Sequence, residues 1–544
     1  MKLLSTRKSI LVTLAVILSL FTLGAFADSR TEDQQEDILH DLDIFAKVVE
    51  KVDKYYVDDV NIDEMVREAV QEMLGRLDPH SQFLAGIDYE DLMMNTRGEF
   101  GGLGIYITFR DNYPTVISPI DDTPGERAGL RGGDQIVEIE GMSTEGWRVD
   151  KAVGYLRGDA GTKVRFKVRR PGSQDAIEYV LTREVINVKS VPFYGKFGDY
   201  GYIKVSNFSK HTAQELEAAL SDLETQGMSG LVLDFRTNPG GLLQTATEVS
   251  ELFLEDKKLI VYTKGRLRSS TREYYSTNRK VHNGYPIVVM INEGSASASE
   301  IFAGAMQDWD AAFLVGQTSF GKGTVQTVFS LSETEAIKLT TAKYYTPSGR
   351  SIHQDHHEAE PDSEGVAAEM LRGRARTEVA QALADSATAA RPLYQTASGR
   401  SVYGGGGITP DLEFEPLYYT ELQRRLERDG LAFSFAIDKL DDKEISENYE
   451  TTDAMLDRFY RFLDERSFEY DKADLNEENV DYIRTMIARE AVAHKYGRRA
   501  MYRVVLNKDP EFQQVLAIMK KAPTLPDMFA YAEEQRSLKK ASVE

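Results

Sequence analysis

The sequence predicts a multidomain α/β protein, and three observations support this fold class. The chain has 544 residues, enough for about two to four domains, and 42% of them are hydrophobic, so each domain can bury a core. Residues 286–326 have the pattern of a βαβ unit, with a strand, a small-residue turn, a helix and a second strand. Short strands precede this unit, and helical periodicity marks both ends of the chain.

Charge and cysteine content exclude several classes of protein. The net charge is -22 and the isoelectric point is about 5.0, so no basic excess exists to neutralise phosphates. We therefore expect no nucleic-acid partner. The chain has no cysteine, which excludes disulfides, thiolate nucleophiles, Cys-ligated zinc and lipidation at an N-terminal cysteine.

Residues 1–27 have the pattern of an export signal. Basic residues precede an apolar run over residues 9–21, and Ala25 and Ala27 form an A-x-A cleavage site before Asp28. The apolar run is short for a membrane span. We expect cleavage after Ala27 and a periplasmic or otherwise exported mature protein. The alternative is an uncleaved signal that anchors the chain to the inner membrane.

Residues 28–97 are predicted to form an N-terminal helical region. Apolar residues recur at helical spacing over residues 38–77 and indicate two or three helices, with a turn near residues 58–61. The last helix is expected to stop at Leu77, because Pro79 disfavours helix in the residue before it. We interpret His80, beside this proline turn, as structural.

Residues 98–185 are predicted to form a small β domain. It contains three recognisable strings: G-L-G-I at residues 102–105, A-G-L at residues 128–130 and G-D-Q-I at residues 133–136. Together, in this order, the strings resemble those of a PDZ domain. The resemblance implies that a peptide adds to the domain as a strand. Its C-terminal carboxylate would be bound by the backbone N–H groups of Gly102, Leu103, Gly104 and Ile105.

Residues 186–416 alternate strands and helices and are predicted to form the α/β core. Chemistry in open α/β sheets collects at the carboxyl ends of strands. Polar turns follow predicted strands at residues 292–299 and 316–323, and these turns are therefore the candidate site. A further predicted strand ends in the glycine-containing turn at residues 237–241. An insertion at about residues 353–402 interrupts the core.

Ser297 and Lys322 are the candidate chemical groups of these turns. Ser297 lies where a strand turns into a helix, so free N–H groups beside its hydroxyl could stabilise an oxyanion. The alternative for this residue is an ordinary capping box with Glu300. Lys322 lies between two glycines, and a lysine can act as a general base where burial lowers its pKa. A Ser-Lys pair is an established variant of nucleophile and base.

A phosphate-binding loop is a rival interpretation of residues 316–322, because they match G-x-x-x-x-G-K after an apolar strand. Gly323 follows the lysine, however, where a serine or threonine is needed to hold Mg²⁺. Residues 324–329 have a β pattern, so no helix N-terminus would face a phosphate. We therefore reject nucleotide binding.

The strings at residues 234–241, 294–301 and 320–326 resemble those of the C-terminal processing peptidases, also called tail-specific proteases. Residues 77–81 and the PDZ-like domain occur in the family's usual order, and the resemblance covers roughly residues 38–415. It implies a crotonase/ClpP-like α/β protease core. The roles it implies are a Ser297 nucleophile, a Lys322 base and a Gln326 that orients the lysine. The oxyanion hole would use backbone N–H groups of Ala298 and of Gly240 or Gly241.

The expected function is that of an exported serine endopeptidase that recognises the free C-termini of protein substrates and cleaves peptide bonds with a Ser-Lys dyad. The alternative is a catalytically inactive PDZ scaffold that only binds peptides. An adaptor protein is a further expected partner. No cofactor and no metal is expected, because the His/Glu cluster at residues 355–362 matches no metal-binding spacing and is interpreted as a solvated loop.

Residues 417–544 are predicted to form a helical extension, because apolar residues recur at helical spacing among many charges. This extension and the insertion at 353–402 depart from the family's minimal pattern without touching the catalytic strings. We interpret the extension as a helical appendage or an assembly surface, with a homo-oligomer through these helices as one expectation.

Overall fold

The computed structural model describes residues 32–173, 175–277, 281–332, 334–354, 391–440 and 442–543. The expected export signal, most of the insertion and the His/Glu cluster at 355–362 lie outside these residues. No helix in the described part of the chain is long and apolar enough to cross a membrane. The chain divides into a first compact unit that ends at Phe83 and a second that begins at Leu84.

In its described part, the first unit contains helices α1 (Glu32–Tyr55) and α2 (Ile62–Gly75). Asn61 caps α2, since its side-chain oxygen accepts a hydrogen bond from the N–H of Glu64 at 3.3 Å. The turn predicted near residues 58–61 is therefore the place where α2 begins. After α2, the carboxylate of Asp78 accepts hydrogen bonds from the backbone of His80 and Ser81 and closes a tight turn.

The second unit opens with the β domain. Its elements, with strand β1 at the unit boundary, are β1 (Gln82–Ala85), α3 (Ile87–Arg97), β2 (Glu99–Gly102), β3 (Ile105–Arg110), β4 (Tyr113–Pro119), α4 (Pro124–Arg127), β5 (Gln135–Ile139), β6 (Met142–Ser143), α5 (Val149–Leu156), β7 (Lys163–Arg169), β8 (Ala176–Thr182) and β9 (Glu184–Asn187). The antiparallel sheet has the order β3-β4-β5-β7-β8. Alternate residues of β7 are buried, as expected for a sheet with one covered face.

The α/β core follows. Its elements are β10 (Phe193–Phe197), β11 (Tyr200–Lys204), α6 (Thr212–Thr225), β12 (Gly230–Asp234), α7 (Leu243–Glu251), β13 (Leu259–Gly265), β14 (Arg272–Tyr275), β15 (Ile287–Ile291), α8 (Ala298–Asp308), β16 (Phe313–Gly316), β17 (Thr324–Ser330), β18 (Glu335–Tyr345), β19 (Leu393–Gln395), β20 (Ser401–Tyr403) and β21 (Leu412–Glu413). The main sheet has the order β10-β11-β12-β15-β16-β21 and is parallel from β11 onwards. Strands β17, β18, β13 and β14 form an antiparallel sheet beside it.

The C-terminal region is helical, as the sequence predicts. Its helices are α9 (Glu421–Arg428), α10 (Leu431–Lys439), α11 (Asp453–Glu465), α12 (Glu477–Lys508), α13 (Pro510–Lys521) and α14 (Leu525–Val543). Helix α12 is interrupted at Gly497, which has a positive φ of 81°. The region also contacts the β domain, because the guanidinium of Arg110 donates two hydrogen bonds to the carboxylate of Asp438, at 2.8 and 2.7 Å.

The main sheet is covered on both faces, and the C-terminal helices form one of the covers. Every residue of β12 and β15 is buried, which is the pattern of parallel strands with two packed faces. Helices α6, α7 and α8 pack on one face. The other face, which includes Val232, Val288 and Met290, packs against Phe512, Val515 and Met519 of α13 and Met528 of α14. The interpretation of this tail as an appendage missed that it completes the core.

Because α13 completes the core, removing its largest apolar contact should destabilise the protein. The ring of Phe512 is fully buried and lies edge-on to the rings of Phe197 and Tyr202, with centroids 5.0 Å apart in each case. We expect Phe512→Ala to lower the free energy of unfolding by about 3–5 kcal/mol. Urea unfolding followed by tryptophan fluorescence measures this change. Gln514→Ala, at an exposed position of the same helix, is the matched control and should change the free energy by less than about 0.5 kcal/mol. Equal effects of the two substitutions would contradict the packing argument.

Candidate active site

Three loops that follow neighbouring strands of the main sheet meet at its carboxyl edge. They are the turn after β12 (residues 235–242), the turn after β15 (residues 292–297) and the loop after β16 (residues 317–323). Backbone hydrogen bonds join them: the N–H of Ala296 donates to the carbonyl of Asn238 at 3.0 Å, and the N–H of Phe320 donates to the carbonyl of Ser295 at 3.0 Å. The structure therefore brings the three predicted turns into one site.

Among Ser295, Ser297 and Ser299, Ser297 is the serine that is partly accessible to solvent. It precedes α8 with φ 55° and ψ −110°, a conformation that non-glycine residues adopt at a cost and that often marks a functional position. Ser295 and Ser299 are buried, and their hydroxyls donate to the carbonyl oxygens of Phe235 and Asn238, at 2.8 and 3.0 Å. These two serines therefore hold the turn in place.

The buried carboxylate of Glu300 joins the Ser297 turn to the Lys322 loop. Its Oε2 accepts hydrogen bonds from the backbone N–H groups of Ser297 and Lys322, at 2.7 and 2.9 Å. Its Oε1 accepts from the hydroxyl of Ser319 at 2.6 Å and from the N–H of Gly321 at 2.7 Å. The capping-box bond to Ser297 is present, but the same carboxylate also fixes the loop that carries the lysine.

Opposing effects act on the pKa of Glu300. Burial raises this pKa above its ordinary value, and the hydrogen bonds from Ser319, Gly321, Ser297 and Lys322 oppose the rise. The hydroxyl of Ser319 is oriented as a donor, because its oxygen accepts the N–H of Ile408 at 2.7 Å. A ring of donors around both oxygens is the environment that a buried carboxylate requires.

Tyr344, on strand β18, contacts the backbone of both the Ser297 turn and the Lys322 loop. Its hydroxyl lies 3.1 Å from the carbonyl oxygen of Ser297 and within hydrogen-bonding distance of the carbonyl oxygen of Lys322. Burial raises the pKa of Tyr344 well above its ordinary value, so the hydroxyl keeps its proton and acts as a donor. The backbones of the predicted nucleophile and base are thus held by Glu300 and by Tyr344.

Lys322 is half-buried and lies between two glycines that its loop requires. Gly321 has φ 89°, and a Cβ added at Gly323 would lie 2.8 Å from the backbone nitrogen of His353. Gln326 lies on β17, at a register shift in its pairing with β18. Its amide nitrogen donates to the hydroxyls of Thr324 and Thr340, at 2.9 and 3.2 Å. This orientation leaves the amide oxygen of Gln326 as an acceptor.

The turn after β12 packs directly against the Ser297 turn. Gly240 has φ 94°, and a Cβ added there would lie 2.6 Å from the carbonyl oxygen of Ala296 and 2.7 Å from the nitrogen of Ala298. The N–H of Gly240 donates to the side-chain oxygen of Asn238 at 2.9 Å. Ala298 is the first residue of α8, so its N–H has no partner within the helix. For the N–H of Gly241, no acceptor is found among the described residues.

The predicted carboxylate-binding loop, residues 102–105, lies between β2 and β3. Gly104 has φ 70°, and a Cβ added there would lie 2.3 Å from the side chain of Thr123, so the position requires glycine. The carbonyl of Leu103 accepts the N–H of Gly125 at 2.8 Å, which anchors the loop to α4. Within the described residues β3 pairs only with β4, so it presents a free strand edge beside the loop.

Sequence reasoning did not find two further parts of the site. The second role of Glu300 could have been suspected from the capping box, which places its carboxylate at the turn. An ionic group beneath the turn after β12, formed by Asp234 and Arg236 with Asp509 and Glu511, had no local signal, because the acids come from the distant C-terminal region. Among the described residues, no group of three or more histidine, aspartate and glutamate side chains is placed to hold a metal ion.

Comparison with known proteins matches both domains. Residues 199–364 match the family model described as peptidase family S41, and residues 115–170 match the PDZ domain model. A carboxy-terminal-processing protease of Bartonella bacilliformis is 41% identical over 350 residues, which are 64% of this chain and 80% of that protein. A carboxyl-terminal-processing protease of Synechocystis is 39% identical over 295 residues, covering 53% and 68% of the two chains.

Among solved structures, a photosystem II D1 C-terminal processing protease is 27% identical and aligns over 60% of this chain and 91% of its own, with a TM-score of 0.32. The extent and identity of the match to the Bartonella protein establish the family. The chain belongs to the carboxy-terminal-processing proteases of peptidase family S41 and carries their PDZ domain.

Proposed function

We propose that this protein is an exported serine endopeptidase that captures the free C-termini of protein substrates on its PDZ domain and cleaves peptide bonds with Ser297 and Lys322. The observation that carries the proposal is the carboxylate of Glu300, which binds the backbone N–H groups of both residues through one oxygen atom. This arrangement fixes the relative position of a strained, partly accessible serine and a lysine. Such fixed geometry is what nucleophilic catalysis requires.

In the proposed mechanism, the neutral amine of Lys322 accepts the hydroxyl proton of Ser297 as the serine oxygen attacks the substrate carbonyl. The tetrahedral intermediate then expels the amine of the leaving segment, which takes the proton from Lys322, and an acyl-enzyme remains on Ser297. Water attacks this ester, with Lys322 again accepting the proton. The second tetrahedral intermediate then expels the Ser297 oxygen, which takes the proton back from Lys322, and the product acid leaves and loses its own proton to water.

Gln326 and two backbone N–H groups complete the proposed machinery. Because its amide nitrogen is already occupied by two threonine hydroxyls, Gln326 offers its oxygen to orient the Lys322 side chain. For the oxyanion hole, we propose the N–H groups of Ala298 and Gly241. The N–H of Gly240 is already bonded to Asn238, which favours Gly241 as the second donor.

The PDZ domain is proposed to select substrates by their free C-terminus. Its free β3 edge can accept a peptide strand, and the backbone of residues 102–105 can bind the terminal carboxylate. Export rests on residues 1–27, with a membrane anchor as the alternative. An adaptor protein and a homo-oligomer through the C-terminal helices stay predictions.

The dyad is tested by cleavage of an unstructured protein. We expect Ser297→Ala and Lys322→Ala each to abolish cleavage, because one removes the nucleophile and the other removes the base. Ser330→Ala, which removes an exposed hydroxyl from β17, is the matched control and should cleave like the wild type. Cleavage by Ser297→Ala at the wild-type rate would disprove the assignment. If the wild type binds C-terminal peptides but never cleaves, the alternative of an inactive scaffold is correct.

Recognition of the substrate C-terminus is tested by amidation of an otherwise identical peptide. Amidation removes the negative charge that the backbone N–H groups of residues 102–105 would bind. We expect kcat/KM to fall about tenfold or more, consistent with the loss of roughly 1.5–3 kcal/mol for a charged hydrogen bond. Acetylation of the peptide N-terminus is the control and should have no effect. Equal kinetics for the free and amidated peptides would exclude carboxylate recognition.

The role of Glu300 is tested by Glu300→Gln. The four groups around the Glu300 carboxylate all donate hydrogen bonds to it. The NH2 group of glutamine cannot accept these hydrogen bonds, so the two loops should separate. We expect kcat to fall about hundredfold, since small misplacements of catalytic groups have effects of this size. Glu293→Gln, on the exposed part of the same turn, is the matched control. A kcat for Glu300→Gln within about twofold of the wild type would contradict the proposed positioning.

A further inference from the structure

A group of buried and half-buried charged and polar residues lies beneath the catalytic loops, on the side where the C-terminal helices pack. We call it the rear cluster and define it as Asp234, Arg236, Gln317, Asp509 and Glu511. Asp234 ends strand β12, and Arg236 is the second residue of the turn at residues 235–242 that packs against the Ser297 turn. Asp509 and Glu511 belong to the start of α13, and Glu511 is 275 residues from Arg236 and 194 residues from Gln317 in the sequence.

Arg236 is held by carboxylates from both regions of the chain. Its Nη2 donates to Asp234 at 2.7 Å and to Asp509 at 2.7 Å, and its Nη1 donates to Oε2 of Glu511 at 2.6 Å. These short, charge-assisted bonds fix the guanidinium and therefore the start of the turn. The next residue, Thr237, has φ 56° and donates its N–H to the side-chain oxygen of Asn292 at 2.7 Å.

The same carboxylate of Glu511 also reaches the lysine loop. Its Oε1 accepts a hydrogen bond from the side-chain amide of Gln317 at 2.7 Å. Gln317 directly follows β16, and its loop continues to Lys322. Glu511 therefore bridges the turn of the proposed oxyanion hole and the loop of the proposed base, with one carboxylate oxygen on each.

The position of Glu511 is itself fixed by the fold. It lies in the first turn of α13 and is buried. Asp509 caps the helix by accepting the N–H of Phe512 at 3.1 Å, and the ring of Phe512 packs on the main sheet. Apolar residues of similar volume commonly replace a whole buried ion pair without loss of stability, so packing does not require the pair of Arg236 and Glu511. Packing alone therefore gives no reason for an acid at position 511, whereas its contacts to two catalytic loops do.

We propose that Glu511 is a positioning residue, which sets the distance between the turn at residues 237–241 and the Lys322 loop, so that the C-terminal helices form part of the active centre. This inference rests on the proposed function, because it assigns Glu511 a role in the same dyad chemistry. Glu511 does not touch the reacting atoms. It acts through Arg236 and Gln317.

The test measures kcat, KM and the inhibition constant of a peptide aldehyde, which forms a tetrahedral adduct with a serine nucleophile, on the full-length protein. We expect Glu511→Ala to lower kcat at least tenfold and to leave KM within about twofold, because the substitution perturbs the transition state alone. The inhibition constant of the aldehyde should rise by the same factor as kcat/KM falls. Phe512→Leu is the matched control: it loosens the packing of α13 but keeps the backbone N–H that Phe512 donates to Asp509, so the hydrogen bonds of the rear cluster stay in place. It should lower the melting temperature and leave kcat unchanged.

Exchanging the amide at position 317 with the acid at position 511 tests whether kcat can be restored. Gln317→Glu alone places two carboxylates side by side and should lower kcat like Glu511→Ala. The double variant Gln317→Glu/Glu511→Gln restores a carboxylate–amide bond and keeps an acceptor for Arg236, so kcat should return to within about threefold of the wild type. Recovery in the double variant supports positioning, and a double variant as slow as the worse single variant overturns it.

The following results distinguish a failure of this inference from a failure of the proposed function. If Ser297→Ala is inactive and Glu511→Ala matches the wild type, the dyad stands and the role of Glu511 is disproved. A Phe512→Leu variant that loses as much kcat as Glu511→Ala also overturns the inference, because the effect would then follow from loosened packing. If Ser297→Ala still cleaves, the proposed function itself fails.

Discussion

The site depends on one buried carboxylate that has to be surrounded by donors. Glu300 lies in the core, and both of its oxygens accept hydrogen bonds from the segments that carry Ser297 and Lys322. A buried carboxylate without such partners would destabilise the fold by several kcal/mol, so the loops are held to the positions that supply them. This constraint also accounts for the positive φ of Ser297. The surrounding hydrogen bonds hold the residue in a backbone conformation that a free chain would avoid.

The second constraint is the parallel sheet, which must be covered on both faces and which presents its loops at one edge. Helix α8 supplies Glu300 from one face, and helix α13 supplies Glu511 from the other. The C-terminal region also contacts the PDZ domain through Arg110 and Asp438. A single helical region therefore touches both the domain proposed to bind substrate and the loops proposed to cleave it.

The sequence predicted those parts of the fold and site that depend on local pattern. The strings around Ser297 and Lys322 and the glycine-dependent turns could be found because steric rules restrict them to few residue types. Tyr344 could not be found, because it is one aromatic residue among several in an ordinary strand. Asp509 and Glu511 resemble a normal acidic helix start, and only the folded chain brings them to Arg236. Strands β12 and β15 are buried throughout, but no local feature of the sequence identified the C-terminal helices as the second cover of their sheet.

The most direct test of the account is a crystal structure of the protein with a peptide aldehyde bound. If Ser297 and Lys322 form the dyad, the aldehyde carbon will be bonded covalently to Oγ of Ser297. Nζ of Lys322 will then lie at hydrogen-bonding distance, about 3 Å, from that oxygen, and the hemiacetal oxygen will lie between the N–H groups of Ala298 and Gly241. An adduct on another residue, or an adduct on Ser297 with the Lys322 side chain turned away from it, would contradict the proposed dyad.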